Sequence, residues 1–202
     1  MIGNFAAMSG NFVIFIVAYT LNLYLQIVLG LDTRFVGLLL LITPIVMIFI
    51  SPLAGRLSDK HNNNMISAIA MIIIGVSLVI LVSLDVLPFY MIIVAFIIQG
   101  VGYGLFASPN NKNVLTSVSI DDLSDASALL SAGKDIGKLL SLCIFNIFCE
   151  FFVNTQDLND EMGGLYFSIK SMMMFCIILV ILCIIFIIIS KFKLKMEKSA
   201  SN

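Results

Sequence analysis

The chain has 202 residues, of which 60% are hydrophobic and 11% are charged, against roughly 45–50% and about 25% in an ordinary soluble domain. A water-soluble globule of this length could not bury so much apolar surface, so the composition indicates a chain that lies mostly in lipid. The formal net charge is −1, which leaves no excess of positive charge for a nucleic-acid partner and excludes that class.

Six long apolar segments follow one another along the chain, and charged or turn-forming residues separate them. Each is long enough to cross a bilayer as a helix of about 20 residues. Segments of this length must be helical, because lipid-exposed backbone groups are satisfied only within a helix or a closed barrel, and the alternation of barrel strands is absent. We therefore predict an all-α polytopic membrane protein with six spans at about 5–30, 35–54, 65–84, 89–111, 126–153 and 165–190, followed by a basic tail at 191–202.

Basic residues predict the orientation of these spans, because short cytoplasmic loops are enriched in lysine and arginine. Two basic residues, Arg34 and Lys170, fall on one side of the six-span arrangement. Seven fall on the other side, namely Arg56, Lys60, Lys112, Lys191, Lys193, Lys195 and Lys198. We therefore expect a multi-pass protein of the cell membrane with both termini in the cytoplasm.

Two polar residues, Asn22 and Gln26, lie one helical turn apart near the end of the first span. Uncharged polar groups in lipid seek either another helix or a solvated path. We favour the path, so that Asn22 and Gln26 are predicted to belong to a substrate pathway.

The connection after the second span has the sequence G-R-L-S-D-K at 55–60. Glycine allows two helices to approach each other, and an acid with basic neighbours can pair across a helix end. We expect a tight cytoplasmic turn in which Gly55, Arg56, Asp59 and Lys60 form a conformational latch. An ordinary basic loop on the cytoplasmic side is the alternative.

Three glycines, Gly100, Gly102 and Gly104, occupy alternate positions in the fourth span. A similar pattern occurs in dinucleotide-binding loops, but those require amphipathic crossover helices and soluble loops, which this chain lacks. Small residues let transmembrane helices meet closely. The three glycines are therefore predicted to serve helix packing.

Polar residues recur at helical spacing along one face of the fifth span. They are Ser127, Ser131, Lys134, Lys138 and Ser141. Ionisable side chains within a span usually line a cavity or pair with one another, and Asp135 is within pairing range of Lys138. We predict that Ser131, Lys134 and Lys138 line the substrate pathway; the alternative is that the lysines extend toward the cytoplasmic surface.

Taken in order, these motifs resemble those of the major facilitator superfamily. The segment at 55–60 resembles the start of the superfamily's loop motif, G-x-L-a-D-[R/K], although asparagines at 62–64 stand where its second glycine and paired basic residues would be. Three further stretches resemble helices in the C-terminal half of fourteen-helix drug:proton antiporters. They are Y-L-Q at 24–26 with G-L at 30–31, G-V-G-Y-G-L-F at 100–106 with P-N at 109–110, and A-S-A at 126–128 with K-D-I-G at 134–137.

The resemblance implies one six-helix half of a secondary transporter that exports hydrophobic or cationic small molecules by alternating access. The proton is the implied coupling ion, and no metal or organic cofactor is expected. The implied partners are the lipid bilayer and either a complementary N-terminal half or a second copy. A non-transporting remnant or a membrane scaffold is the alternative. An intramembrane enzyme is not expected, because the only histidine, His61, lies in a loop.

Overall fold

The computed structural model describes residues 2–60, 62–83, 88–116, 118–153 and 158–200, except for the side chains of 2–4, 158–162 and 188–200. Within these ranges the chain is helical and contains no strand, which confirms the predicted all-α membrane fold. The helices are α1 (Ile2–Leu23), continued by a π-helix (Tyr24–Val28), then α2 (Thr33–Leu40), α3 (Ile42–Lys60), α4 (Asn63–Val82), α5 (Tyr90–Leu115), α6 (Leu123–Phe152) and α7 (Leu158–Ala200).

Five helical segments in the described part of the chain are long and apolar enough to cross a membrane. They are Phe5–Val28, Thr33–Lys60, Asn63–Val82, Tyr90–Leu115 and Gly163–Ile187. Helix α6 is also long enough, with 30 residues, but Lys134, Asp135 and Lys138 interrupt its apolar sequence. It is the remaining candidate for the sixth span, and α2 and α3 together form the second.

Several helices extend beyond the boundaries expected from the sequence. Helix α3 continues to Lys60, so the segment at 55–60 forms its last turns, and the expectation of a tight turn there is wrong. Helix α5 continues to Leu115, and the backbone of the expected tail is helical as far as Ala200. Apolar composition shows where the lipid-facing sequence stops. A helix can continue through the polar residues beyond that point, because its backbone hydrogen bonds do not depend on apolar side chains.

The first two spans each contain an irregularity with a local cause. The first span ends in the π-helix, and Gly30 follows it with a φ of 64°, a conformation that glycine adopts without a steric penalty. In the second span, α2 ends at Leu40. Pro44 has no N–H to donate to the carbonyl of Leu40 four residues earlier, which explains the break between α2 and α3.

The core lies between α1, α4, α5 and α7. Helix α4 packs along α5 and α7, while α1 packs along α6, α7 and α5. Large side chains such as Ile16, Met71, Phe96 and Met172 are fully buried there. Helix α3 packs mainly on α5, and α6 mainly on α1, so α3 and α6 flank the central pair formed by α1 and α5.

The three glycines of α5 lie where neighbouring helices approach it most closely. A Cβ atom at Gly100 would lie 2.7 Å from Val46 Cβ and 2.8 Å from the carbonyl oxygen of Thr43, and one at Gly104 would lie 2.8 Å from Ile50 Cβ. All three neighbours belong to α3. On the opposite side of α5, a Cβ at Gly102 would lie 2.6 Å from Ile74 Cγ1 of α4. Glycines therefore allow α5 to contact α3 and α4 at once.

We predict that Gly100→Ala destabilises the protein by about 1–3 kcal/mol, because the added methyl group meets a backbone carbonyl that cannot move aside. Gly133→Ala is the matched control, since no atom lies within 4 Å of the position its Cβ would take. The midpoint temperature at which the detergent-purified protein loses its monodisperse chromatographic peak should fall for Gly100→Ala and stay level or rise for Gly133→Ala. Equal shifts in both variants would contradict the packing role.

Candidate functional site: a polar cavity and an adjoining helix clamp

A cavity of about 100 Å³ lies between α1, α3, α5 and α6. All of its described lining residues come from these four helices, and no described side chain of α4 or α7 contributes. Its polar lining residues are Asn11, Tyr103, Asn110, Asn111 and Lys134. The cavity is thus built from the central helix pair and the two helices that flank it.

Helix α5 supplies two consecutive asparagines to this cavity. Asn110 is almost fully buried, and the side-chain oxygen of Asn111 is buried with no hydrogen-bond partner in the described part of the chain. Pro109 precedes them inside the helix and leaves the carbonyl of Leu105 without its usual helical donor. On the facing helix, Asn11 Nδ2 donates to the carbonyl of Ala7 at 2.9 Å.

Lys134 of α6 is the only charged side chain that lines the cavity in the described part of the chain. It makes no hydrogen bond or ion pair with any residue in the ranges described above. Asp135, the next residue, is instead paired with Lys138 Nζ at 2.9 Å, and this pair is partly exposed. Neither Ser131 nor Lys138 lines the cavity, so the structure separates Lys134 from the other two predicted pathway residues of this span.

The remaining predicted pathway residues, Asn22 and Gln26, lie toward the other end of α1. Gln26 Nε2 donates to Asn22 Oδ1 at 2.5 Å, and the hydroxyl of Thr33 donates to Gln26 Oε1 at 3.2 Å. Asn22 comes eleven residues after Asn11, about 16 Å along a helix at 1.5 Å per residue. These contacts tie the end of the first span to the start of α2. Their part in a pathway stays a prediction.

A polar cluster joins the ends of α3, α4 and α5 next to the cavity. Lys112 Nζ of α5 pairs with Asp59 Oδ1 of α3 at 2.6 Å and lies 3.4 Å from the carbonyl oxygen of Ser58. The hydroxyl of Ser58 donates to Asn63 Oδ1 at 2.6 Å, and Asn113 Nδ2 donates to Asn64 Oδ1 at 2.7 Å. We call these six residues, Ser58, Asp59, Asn63, Asn64, Lys112 and Asn113, the helix clamp.

The helix clamp overlaps only in part with the latch expected from the sequence. Asp59 belongs to both, but its partner is Lys112 of another helix. Arg56 and Lys60 are exposed and form no ion pair within the described ranges. Gly55 faces α5, where a Cβ would lie 3.8 Å from Ser108 Oγ. The latch role of these residues stays a prediction.

Sequence reasoning missed the Asp59–Lys112 pair because 53 positions separate its members. One signal was available: both residues lie at span ends that the positive-inside rule assigns to the same side of the membrane. Lys112 also directly follows Asn111 in α5. The helix clamp therefore lies at the end of the cavity, and one turn of α5 contributes to both.

The family model described as the Major Facilitator Superfamily matches residues 1–201 of this chain. The chain belongs to the Major Facilitator Superfamily. This family consists of transporters, so the prediction that the protein is not an enzyme is confirmed. The family and the apolar helices also identify it as a multi-pass membrane protein.

Two transporters of this kind have related sequences. The riboflavin transporter RibZ of Clostridioides difficile is 29% identical over 161 residues, which cover 79% of this chain and 35% of RibZ. The uncharacterized transporter YebQ of Escherichia coli is 35% identical over 120 residues, which cover 59% of this chain and 26% of YebQ. The matched part of this chain thus spans about a third or less of the length of these relatives.

We predict that Lys112→Gln loosens the ends of α3 and α5 without unfolding the protein, because an exposed ion pair contributes only about 0.2–1 kcal/mol. The distance distribution between spin labels at positions 57 and 116 should broaden in this variant. Exchanging the charges, in Asp59→Lys with Lys112→Asp, should restore a narrow distribution. Lys60→Gln is the control and should change nothing; equal broadening in this control would argue against the clamp.

Proposed function

We propose that the chain is one six-helix half of a secondary active transporter of the cell membrane, which exports hydrophobic organic compounds in exchange for protons by alternating access. Membership of the Major Facilitator Superfamily supports transport, and the motifs described above favour the drug:proton antiporter branch. In this proposal the cavity lies on the substrate pathway, and the helix clamp closes its cytoplasmic end in one of the two access states.

The observation that carries this proposal is the charged surface on the open side of α6. Helix α6 contacts α1 so closely that Gly137 meets the backbone of Met8. Its buried residues lie on that side, whereas the side chains of Asp135 and Lys138 are 68% and 40% exposed. Both lie near the middle of a helix of 30 residues.

A charge near the centre of a span cannot face lipid without a cost, about 2.5–3.5 kcal/mol for one lysine on translocon scales. The open side of α6 therefore needs a protein or aqueous surface against it. Helix α3 is similarly open, since only 17% of the most apolar stretch of its span is buried. We propose that a complementary six-helix half covers α3 and α6 and encloses the cavity, or that a second copy does so through a two-fold axis.

A second candidate substrate comes from the similarity to RibZ, which extends over 79% of this chain. RibZ is named a riboflavin transporter, so we propose riboflavin or a related flavin as an alternative to a broad range of organic compounds. Competition between unlabelled riboflavin and a dye substrate in the transport assay below distinguishes the two, because only a flavin transporter should prefer riboflavin to unrelated aromatic compounds.

We predict that both termini are cytoplasmic, from the distribution of basic residues. In a background without native cysteines, Tyr90→Cys at the start of α5 should react with an impermeant thiol reagent in intact cells. Ser124→Cys at the start of α6 should react only after lysis. Both native side chains are exposed, so a difference in labelling shows on which side of the membrane each residue lies. The opposite labelling pattern would mean that the orientation is the reverse of the predicted one.

We also predict that residues 1–202 alone do not extrude a dye from an efflux-deficient host, because the cavity lacks the half that would enclose it. Co-expression with a complementary N-terminal six-helix half should restore extrusion, and a protonophore should abolish it. In that assembly, Asp59→Asn should slow transport more than it weakens substrate binding. Extrusion by a demonstrated monomer of this chain would refute the half-transporter proposal.

A further inference from the structure

The charge balance of the cavity differs from what a site for organic cations requires. Among the residues that the structure describes, Lys134 is the only charged one in its lining, and no aspartate or glutamate lines it. A cationic ligand in this space would meet a like charge without a compensating carboxylate among the described lining residues, and like charges at close range repel each other. The cavity therefore disfavours the cationic compounds that the sequence resemblance alone implies.

The nearest acid along the chain forms its ion pair with Lys138 and not with Lys134. Asp135 is adjacent in sequence, but its carboxylate accepts a hydrogen bond from Lys138 Nζ at 2.9 Å. This pair has no net charge. The ammonium group of Lys134 has no such partner among the described residues, so its positive charge is available to a ligand in the cavity.

The asparagines add a second requirement for the ligand. The side-chain oxygen of Asn111 is buried and has no hydrogen-bond partner within the described ranges. A buried acceptor in this state is unfavourable unless a ligand or water supplies a donor. A ligand that carries an N–H or O–H group near its negative charge would satisfy Asn111 and Lys134 together.

The size of the cavity limits how much of a ligand it holds. At about 100 Å³ it is smaller than the roughly 300–1,000 Å³ of pockets that enclose a drug-sized molecule. Ile14, Met47 and Phe106 form apolar walls beside the polar groups. The cavity thus has room for the charged end of a molecule, with an apolar body placed against these walls and against whatever covers them.

From these observations we infer that the cavity is a subsite for the anionic end of an amphipathic organic acid that also carries a hydrogen-bond donor, with Lys134 pairing with the anion and Asn111 accepting from the donor. This inference deepens the proposed function and rests on it for the position of the cavity on the substrate pathway. It replaces the expected cationic substrates with anionic ones for this half of the protein.

The first test addresses only the charge of the ligand and compares two dyes that share a xanthene skeleton, the anion fluorescein and the cation rhodamine 123. The purified 202-residue chain is placed in phosphatidylcholine nanodiscs, and the dissociation constant of each dye is measured by fluorescence anisotropy. We expect fluorescein to bind at least about tenfold more tightly, since a charge-assisted hydrogen bond accounts for a difference of this size. Equal or tighter binding of rhodamine 123 would overturn the inference.

Variants of Lys134 test whether the preference for the anionic dye arises in the cavity. Lys134→Met should weaken fluorescein binding by about tenfold, whereas Lys134→Arg should keep it within about threefold because the positive charge remains. Lys170→Met is the matched control, since Lys170 lies in α7 beside Tyr166 and outside this cavity, and it should leave binding unchanged. Fluorescein affinity that does not depend on Lys134 would overturn the inference.

The reaction rate of an introduced cysteine tests the effect of the Lys134 charge without a dye. Asn111→Cys in a cysteine-free background should react faster with an anionic methanethiosulfonate reagent than with a cationic one, relative to a free thiol in solution. Adding Lys134→Met should lower that ratio by about tenfold, because the charge that attracts the anionic reagent has gone. An unchanged ratio would also overturn the inference.

Two further experiments are needed. One distinguishes a free organic acid from lipid phosphate as the bound anion, and the other distinguishes failure of the subsite from failure of the proposed function. Anionic phosphatidylglycerol in the nanodiscs should not displace fluorescein; displacement would assign the site to lipid phosphate and overturn a subsite for free organic acids. If this chain binds fluorescein in the normal Lys134-dependent way but no dye is extruded even when a complementary N-terminal half is co-expressed, that result would count against the proposed function alone. Extrusion without any charge preference would count against the subsite alone.

Discussion

The absence of water in the bilayer interior is the constraint on which the rest of this structure depends. Every backbone polar group must be paired within its own segment, which makes the spans helices, and burying apolar side chains no longer brings the helices together, because lipid is as apolar as they are. Association must come from close packing and a few polar contacts. Three hydroxyl groups supply such contacts between helices by donating to backbone carbonyls. They are Thr43 to Phe96 at 3.2 Å, Ser77 to Ala95 at 3.1 Å and Ser168 to Phe148 at 3.1 Å.

Close packing concentrates on α5, which explains why this helix connects the parts of the protein. Gly100 and Gly104 admit α3 on one side, and Gly102 admits α4 on the other. Further along the same helix, Asn110 and Asn111 line the cavity and Lys112 holds the end of α3 through Asp59. Since a helix moves largely as a rigid element, a displacement of α5 that opens the helix clamp must also change the cavity. In the proposed transporter, this arrangement would provide a physical link between access to the cavity and binding in it.

Charge is distributed in this fold according to how far each group is from water. The Asp59–Lys112 pair lies at helix ends and is partly exposed, so its contribution to stability is small, and it can break during the transport cycle proposed above. Lys134, Asp135 and Lys138 lie within α6 instead, the candidate sixth span, and charges within a span are expensive and commonly functional. Their presence on α6 is the strongest support for the proposal that this helix faces a protein surface or an aqueous path in the complete transporter.

The sequence by itself determined the fold class, the six apolar segments and the glycine pattern of the fourth span, because hydrocarbon allows so few alternatives for a backbone of this composition. Segment ends were less certain, since apolar composition stops at residue 54 while the hydrogen bonds of α3 continue to Lys60. Sequence periodicity placed Ser131, Lys134 and Lys138 on one face, but it could not show that only Lys134 lines the cavity. Nor could it connect Asp59 with Lys112, because a contact between residues 53 positions apart depends on how separate helices pack. Packing of whole helices decided which polar residues of different helices meet, since side-chain spacing describes one helix at a time and could indicate only pairs within it, such as Asp135 with Lys138.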